Sequence, residues 1–195
     1  MKLMFKKDFS TANLVRVYAL VAVAVLLLMA AASTATAATS EDPKLAHYEA
    51  AKKLIAQHLA TFDELDYVVF TGQQWARLHE SHSQDVIVHW PDGHFTTGIQ
   101  RHIEDLKALF VYAPDTRIKV HTVKLGQGEF TAVIGVMEGT FTKPMPTGDG
   151  KFIQPTGKPF KINMCTVGHW TNGVMDEEYL FWDNLTYLKQ IGVIQ

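Results

Sequence analysis

Residues 159–183, PFKINMCTVGHWTNGVMDEEYLFWD, decide the fold, because they predict two long antiparallel strands joined by a tight turn. Thr171-Asn172-Gly173 has the residue chemistry of a hairpin turn, and its flanks are rich in aromatic and aliphatic side chains. The same segment carries His169 and Asp183. An ionisable residue in apolar surroundings is a candidate general acid or base, so the hairpin predicts chemistry as well as sheet.

The rest of the chain predicts helices first and strands afterwards. Apolar residues recur at helical spacing, with a capping box at Thr61 and Glu64, over residues 45–59, 61–70, 73–81, 99–110 and 185–190. Period-two patterns predict strands over 86–90, 117–125, 129–141, 159–170 and 174–182. This order predicts an α+β domain in which N-terminal helices pack over the concave face of a cone-shaped, curved, mainly antiparallel sheet. Such a cone encloses an apolar cavity suited to a small ligand.

The first 37 residues predict a secretory signal peptide. Basic residues up to Arg16 precede an apolar run over 17–32, and Ala35-Thr36-Ala37 offers a small-residue cleavage site. We therefore expect cleavage after Ala37, export to the periplasm or the medium, and a single mature domain over residues 38–195. An uncleaved membrane anchor is the alternative, although the apolar run is shorter than the roughly 20 residues of a transmembrane helix.

The mature part is mildly acidic. It keeps 14 Lys and Arg residues and 19 Asp and Glu residues, which gives a net charge of −5. This balance predicts no nucleic-acid partner and no attraction to an anionic membrane, so we expect a small-molecule ligand. Cys165 is the only cysteine, which excludes an internal disulfide, and its apolar strand predicts a small buried side chain.

Several motifs lie at positions typical of one family: His89-Trp90-Pro91-Asp92-Gly93 with Gly98, and the segments 139–141, 153–158, 172–183 and 190–192. Through them, the chain from about residue 45 to 193 resembles the SnoaL-like polyketide cyclases of the nuclear-transport-factor-two-like superfamily. The resemblance implies cofactor-free acid/base chemistry on a small, apolar carbonyl or ester compound, in which an enolate forms and an intramolecular aldol step closes a ring. It also implies a homodimer.

The resemblance places the acid/base of the cyclases on Asp183 and an assisting histidine on His169. A carboxylate in an apolar cavity has a raised pKa and can exchange a proton near neutral pH. Because Asp183 directly precedes the last predicted helix, a role as its N-cap is the alternative. A three-residue turn places His169 and Asp183 on one face of the hairpin, whereas a two-residue Asn-Gly turn places them on opposite faces. Even on one face, roughly 26 Å of strand separates them, too far for a direct hydrogen bond.

Four further residues are candidates for substrate binding: Tyr179, His82, His89 and Trp90. Tyr179 shares strand parity with Glu177 and Asp183, while Glu178 and Trp182 fall on the opposite face. The hydroxyl of Tyr179 is a donor suited to a carbonyl or enolate oxygen. The two histidines are expected near the mouth of the cavity, and Trp90 among the aromatic residues that line it.

The histidines also offer a metal-binding alternative, formed by His79, His82, His89 and His94 with Asp85 or Asp92. No HExxH motif is present, and we expect no metal and no cofactor. The alternative to an enzyme is an exported protein that binds a hydrophobic ligand in the same cone without turning it over.

Overall fold

The computed structural model describes residues 42–195, and the predicted signal peptide with its cleavage site lies outside the described residues. Residues 42–46 fall in a different unit from residues 47–195, so the packing described below is that of residues 47–195. The elements are α1 (Pro43–Glu64), a π-helical turn (Leu65–Phe70), a 3₁₀ helix (Trp75–Glu80), β1 (His82–His89), β2 (Phe95–Thr97), α2 (Ile99–Tyr112), β3 (Arg117–Gln127), β4 (Phe130–Thr140), β5 (Met145–Pro146), β6 (Phe152–Ile153), β7 (Pro159–Thr171), β8 (Val174–Trp182) and α3 (Asn184–Gln190). Within residues 42–195, no helix is both long and apolar enough to cross a membrane.

Six strands form one curved sheet in the order β2-β1-β8-β7-β4-β3. Neighbouring strands are antiparallel, except that β1 and β8 pair in parallel. The strands β5 and β6 form a separate small hairpin in the loop that the sequence predicts between residues 143 and 158. The predicted α+β class, with helices preceding a mainly antiparallel curved sheet, is confirmed.

The predicted break between the two N-terminal helices is wrong. Thr61 lies inside the continuous helix α1, and its hydroxyl donates a hydrogen bond to the Gln57 carbonyl at 3.2 Å instead of capping a new helix. The π-helical turn follows α1 directly, without a break between them. Local capping chemistry is therefore overridden by burial of the apolar residues that follow, among them Phe62, Leu65 and Val69.

The turn between β7 and β8 has the two-residue register. Thr171 pairs with Val174, and the two residues between them are Asn172 with φ 53° and Gly173 with φ 85°. Two successive positive φ angles are the signature of a type I′ turn, which Asn-Gly favours. The three-residue alternative is not the one adopted.

A β-bulge in β8 follows the turn. Trp170 pairs with Met175, but His169 pairs with Glu177, so one extra residue is inserted into β8. The bulge shifts the alternation of β8, because Met175 and Glu178 are both buried although three positions apart. The residues of β8 that face inward beyond the bulge are Glu178, Leu180 and Trp182.

Two clusters of buried apolar side chains pack between the inner faces of the sheet and the helices. The first cluster includes Phe62, Val86, Val88, Ile103, Trp170 and Met175. The second includes Phe110, Ile118, Phe141, Phe160, Ile162 and Ile191. Burial of each large apolar side chain contributes about 1.5–3 kcal/mol. Both clusters supply walls to the cavity described next.

Candidate active-site cavity

A cavity of about 360 Å³ lies between the inner face of the sheet and the helices α2 and α3. Its walls are mostly apolar and include Leu65, Phe70, Leu106, Met137, Met164 and Leu180. The volume falls within the roughly 300–1,000 Å³ of small-molecule sites. The buried carboxylate and histidine side chains of these walls are Asp66, His82, His102 and Glu178.

Asp66 reaches the cavity from the π-helical turn at the end of α1, a kind of turn often found at functional sites. Asp66 Oδ2 is 2.7 Å from His121 Nε2, and His121 Nδ1 is 2.8 Å from Asp63 Oδ1. The ammonium of Lys124 donates to Asp63 Oδ2 at 2.8 Å. A continuous chain of hydrogen bonds therefore runs from the cavity wall to the exposed end of Lys124.

His121 is aimed at Asp66 by an irregularity in β3. The pairing of β3 with β4 shifts on both sides of His121, and the His121 N–H donates to the hydroxyl of Tyr67 at 2.7 Å. Bulges of this kind re-aim single side chains. The His121 side chain is consequently completely buried, with a carboxylate at each ring nitrogen.

The Asp66–His121 pair retains a proton that either group can carry. Burial raises the pKa of the Asp66 carboxyl. Burial alone would lower the pKa of His121, but the hydrogen bonds and charges of Asp66 and Asp63 outweigh it and raise that pKa. Because each ring nitrogen faces an oxygen at hydrogen-bond distance, at least one of the three groups must supply an extra proton. Such a pair can accept and return protons.

A second buried cluster, formed by His82, His102 and Glu178, lies in the same cavity. Glu178 Oε2 is 3.3 Å from His102 Nε2 and 3.7 Å from His82 Nε2. Neither contact has the geometry of a hydrogen bond, and within residues 42–195 Glu178 Oε2, His82 Nε2 and His102 Nδ1 have no hydrogen-bond partner. The unsatisfied Glu178 Oε2 thus lies close to the unsatisfied His82 Nε2 and to His102 Nε2 inside an apolar cavity.

Burial and mutual proximity shift the ionisation of this cluster. Burial lowers the pKa of His102 to about 4, so this imidazole is neutral at pH 7. Burial acts to raise the pKa of Glu178, but the neighbouring imidazoles of His82 and His102 outweigh it and lower that pKa. The cluster therefore contains an ionised carboxylate between two imidazoles.

Two tyrosines supply hydroxyl groups to the cavity wall. Tyr187 Oη donates to Tyr112 Oη at 2.9 Å, and both residues line the cavity. Burial raises the pKa of both phenols, so they are protonated at neutral pH. Because the bond between them uses one of two O–H groups, the second O–H remains available to donate to a carbonyl oxygen.

Asp183 lies outside the cavity and caps helix α3. Asp183 Oδ1 accepts a hydrogen bond from the Thr186 N–H at 3.0 Å, and Oδ2 accepts one from the Thr186 hydroxyl at 2.6 Å. These bonds lower the pKa of this exposed carboxyl, which is opposite to the raised pKa expected from the sequence. The alternative interpretation of Asp183, as an N-cap, therefore describes its geometry. Its predicted role as acid/base stays a prediction.

His169 lies at the turn end of the sheet and also does not line the cavity. His169 Nδ1 is 2.6 Å from Asp176 Oδ1, and Nε2 is 3.4 Å from Glu129 Oε2. The hydrogen bond with Asp176 is the main cause of a raised pKa of His169. His169 pairs with Glu177, six residues before Asp183, so roughly 20 Å of strand separates the two predicted partners.

The structure separates the four predicted substrate-binding residues into two pairs. His82 and Trp90 line the cavity. His89 and Tyr179 do not: their rings stack at 4.3 Å, and His89 Nε2 is 2.7 Å from Glu177 Oε1. From Glu177 onward, beyond the bulge, the alternation predicted for β8 is correct, and the face with Glu178 and Trp182 is the one that lines the cavity.

Asp66, His102, His121 and Glu178 are functional candidates that sequence reasoning missed. A signal exists for two of them. Asp66 interrupts the apolar run Leu65–Phe70, and His102 falls at helical spacing on the apolar face of α2 beside Ile99 and Ile103. A polar residue in a predicted buried stripe is unusual enough to be a site candidate.

The chain belongs to the SnoaL-like polyketide cyclase family, whose family model matches residues 60–191. The matched segment includes every buried ionisable residue of the cavity. No curated protein matches the chain by sequence. The resemblance seen in the sequence is thereby confirmed.

Solved structures of the same fold come from several bacteria. A protein from Jannaschia sp. CCS1 assigned as a SnoaL-like polyketide cyclase aligns with a TM-score of 0.62 at 18% identity, over 72% of this chain and 94% of the other. IdmH of Streptomyces antibioticus, assigned as a polyketide cyclase, aligns with a TM-score of 0.60 at 23% identity, over 70% and 99%. A protein from Acidithiobacillus ferrooxidans with the same assignment has a TM-score of 0.57 at 16% identity, over 71% and 94%. At these identities the likeness shows a shared fold, which is of the nuclear-transport-factor-two-like type.

Proposed function

We propose that the protein is a cyclase or isomerase that moves a proton on a small, apolar carbonyl compound, with Asp66 as the acid/base. The observation that carries the proposal is a carboxylate enclosed in a mostly apolar cavity and hydrogen-bonded to a buried histidine. Membership of the SnoaL-like polyketide cyclase family supports a reaction of this class.

Each polar group of the cavity has a separate role in the proposed reaction. Asp66 removes a proton from the carbon next to the carbonyl. The C–H electron pair forms a carbon–carbon double bond while the C=O π pair moves to the oxygen, which gives an enolate. The free O–H of the Tyr112–Tyr187 pair donates a hydrogen bond to that oxygen. Return of the proton from Asp66 to another carbon completes an isomerisation. Attack of the enolate carbon on a second carbonyl instead closes a ring, and the alkoxide formed there takes the proton from Asp66. His121 positions Asp66 and shares its proton.

Hydrogen–deuterium exchange tests the proposal without knowledge of the natural substrate. A panel of small ketones and esters is incubated in D₂O, and loss of α-hydrogen is followed by NMR. Asp66→Asn should slow enzyme-dependent exchange by about 10²–10⁴-fold, the usual contribution of a general acid/base. In the wild type, exchange should rise with pH through a pKa above the ordinary value of about 3.9, because Asp66 acts as a base only when ionised.

Asp183→Asn is the matched control, since it makes the same chemical change outside the cavity and keeps a good N-cap. If Asp66→Asn is folded and exchanges as fast as the wild type, the assignment of Asp66 is wrong. If the wild type retains a panel compound on gel filtration but catalyses no exchange, the protein is a binding protein rather than an enzyme.

We also propose that the mature protein acts outside the cytoplasm, on the basis of the signal-peptide pattern in residues 1–37. Cell fractionation followed by N-terminal sequencing tests this. The expected result is a chain in the periplasm or medium that starts at Ala38. A full-length chain in the membrane fraction would instead support the anchor.

A further inference from the structure

The cluster of His82, His102 and Glu178 brings together side chains from three separate elements. His82 opens β1, His102 lies in α2, and Glu178 lies in β8. One potential ligand atom of each residue lies within 4.8 Å of the other two. The side chains are only 1%, 3% and 5% exposed, respectively. Solvent outside the cavity therefore does not supply hydrogen bonds to these three side chains.

An outer hydrogen-bond partner orients His82. Ser81 Oγ lies 2.9 Å from His82 Nδ1 and 3.1 Å from the Leu78 carbonyl oxygen. When the Ser81 hydroxyl donates to Leu78, His82 Nδ1 carries the proton and donates it to Ser81, which leaves a lone pair on Nε2. His82 Nε2 lies 3.7 Å from Glu178 Oε2. An outer partner of this kind is typical of a metal-binding histidine.

The 3.7 Å contact is too long for a hydrogen bond, the 3.3 Å contact lacks the geometry of one, and both separations suit a shared cation. Protonation of His82 Nε2 would not create a hydrogen bond with Glu178, because 3.7 Å exceeds hydrogen-bond distance. In a tetrahedral site with bonds of about 2.1 Å, ligand atoms lie about 3.4 Å apart. The separations of 3.3 Å and 3.7 Å around Glu178 Oε2 lie on either side of this value.

We infer that His82, His102 and Glu178 bind one divalent first-row transition-metal ion in the wall of the cavity. Two imidazoles and one carboxylate are the donor set of catalytic zinc sites and of non-haem iron sites. Three protein ligands leave a coordination position open, and the three residues line the cavity, so a ligand in the cavity can reach the ion. The site departs from the sequence prediction of no metal, and it differs from the histidine set considered there, since of that set only His82 belongs to it.

The ion would add an electrophile to the cavity that Asp66 also lines. Resting on the proposed function, a carbonyl oxygen bound to the ion would hold the electron pair released when Asp66 removes the neighbouring proton. Metal binding itself does not depend on that reaction, so the two proposals fail separately.

Metal titration of tag-free protein tests the site. After treatment with a chelator, the wild type should bind one Zn²⁺ per chain by calorimetry, and Co²⁺ should give a visible absorption spectrum of low coordination number. Glu178→Gln, which keeps the shape of the side chain, and His102→Ala should each weaken Zn²⁺ binding by more than about 100-fold. Ser81→Ala should weaken it by about 10–100-fold, the usual effect of losing an outer partner.

His79→Ala is the control, because His79 is exposed, bonds to the Ala76 carbonyl and does not line the cavity. Asp66→Asn should lose exchange but keep the Zn²⁺ stoichiometry. The inference is overturned if the wild type binds no stoichiometric Zn²⁺, or if folded Glu178→Gln binds it as tightly as the wild type. Loss of exchange with normal metal binding, in contrast, would bear only on the reaction.

Discussion

The two residues that the sequence predicts as a site in the β7–β8 hairpin segment and the buried residues of the cavity wall are histidines and carboxylates in opposite settings. At the hairpin, His169 and Asp183 have polar partners at 2.6–3.0 Å, and Asp183 is exposed to water. In the cavity, His102 and Glu178 are buried and keep polar atoms without a hydrogen-bond partner among residues 42–195. Apolar neighbours in the sequence therefore did not indicate a buried environment for these side chains. Successive residues of a strand point to opposite faces of the sheet, so one can face the cavity while the next faces water.

The two regions also contribute to stability with opposite signs. Each satisfied hydrogen bond at the hairpin contributes about 0.5–1.5 kcal/mol, whereas a buried polar group without a partner costs about 1–3 kcal/mol. A fold tolerates such costs mainly where a ligand or a reaction requires the groups. Variants in the hairpin should therefore change unfolding, and variants in the cavity should change binding and turnover.

Trp170→Ala should have the largest effect on stability, because the hairpin is anchored by this side chain. Trp170 is fully buried, donates to the Thr131 hydroxyl at 2.7 Å and stacks on His58 at 4.4 Å. We expect a loss of about 3–5 kcal/mol in the free energy of unfolding, measured in urea. Trp170→Phe, which keeps an aromatic ring, should lose much less. A loss below about 1 kcal/mol for Trp170→Ala would show that the hairpin is not a structural anchor.

The double variant Tyr112→Phe/Tyr187→Phe should reduce exchange by about 10²-fold, because it removes both hydroxyl donors from the cavity wall. A single variant leaves one donor in place and should lose less. The matched control is Tyr179→Phe, whose hydroxyl lies outside the cavity. Equal loss in the control and the double variant would contradict the distinction between the two faces of β8.

Asp183→Ala should destabilise the protein by about 1 kcal/mol through loss of the cap on α3. Asp183→Asn should cost less, because Asn is an equally good N-cap. Thermal unfolding and the exchange assay on the same samples separate the two roles of this residue. Undiminished stability together with lost exchange in Asp183→Ala would restore Asp183 as the acid/base.

His169→Ala should have the smallest effect, a few tenths of a kcal/mol, and only in acid. The raised pKa of His169 means that its contribution is fully present below the ordinary pKa of about 6.5 and is lost as the pH rises through the higher pKa of the folded state. Urea unfolding at pH 5.5 and pH 9 measures this difference. A larger effect at pH 9 than at pH 5.5 would contradict the pairing with Asp176.

Much of the fold could be predicted because it depends on local patterns. The strand pairs of the hairpin, helix α2 and the cap of α3 follow from periodicity and residue chemistry. The residues of the cavity wall could not be predicted in this way. Asp66 and Glu178 are 112 residues apart, and only the order β1-β8-β7-β4-β3 of the sheet brings them into the same cavity. Nor does a pattern of period two say which of its faces is covered by helices.

The bulge in β8 decides which face of this strand meets the cavity. With regular alternation from Met175 at the same hairpin length, His169 would pair with Asp176, and Glu178, Leu180 and Trp182 would face outward. Glu177, Tyr179 and Phe181 would then face the cavity in their place. One extra residue therefore selects which of two adjacent glutamates lies in the cavity wall. Deletion of one residue between Met175 and Glu178 would remove the bulge and still leave Glu178 facing inward, two positions after Met175.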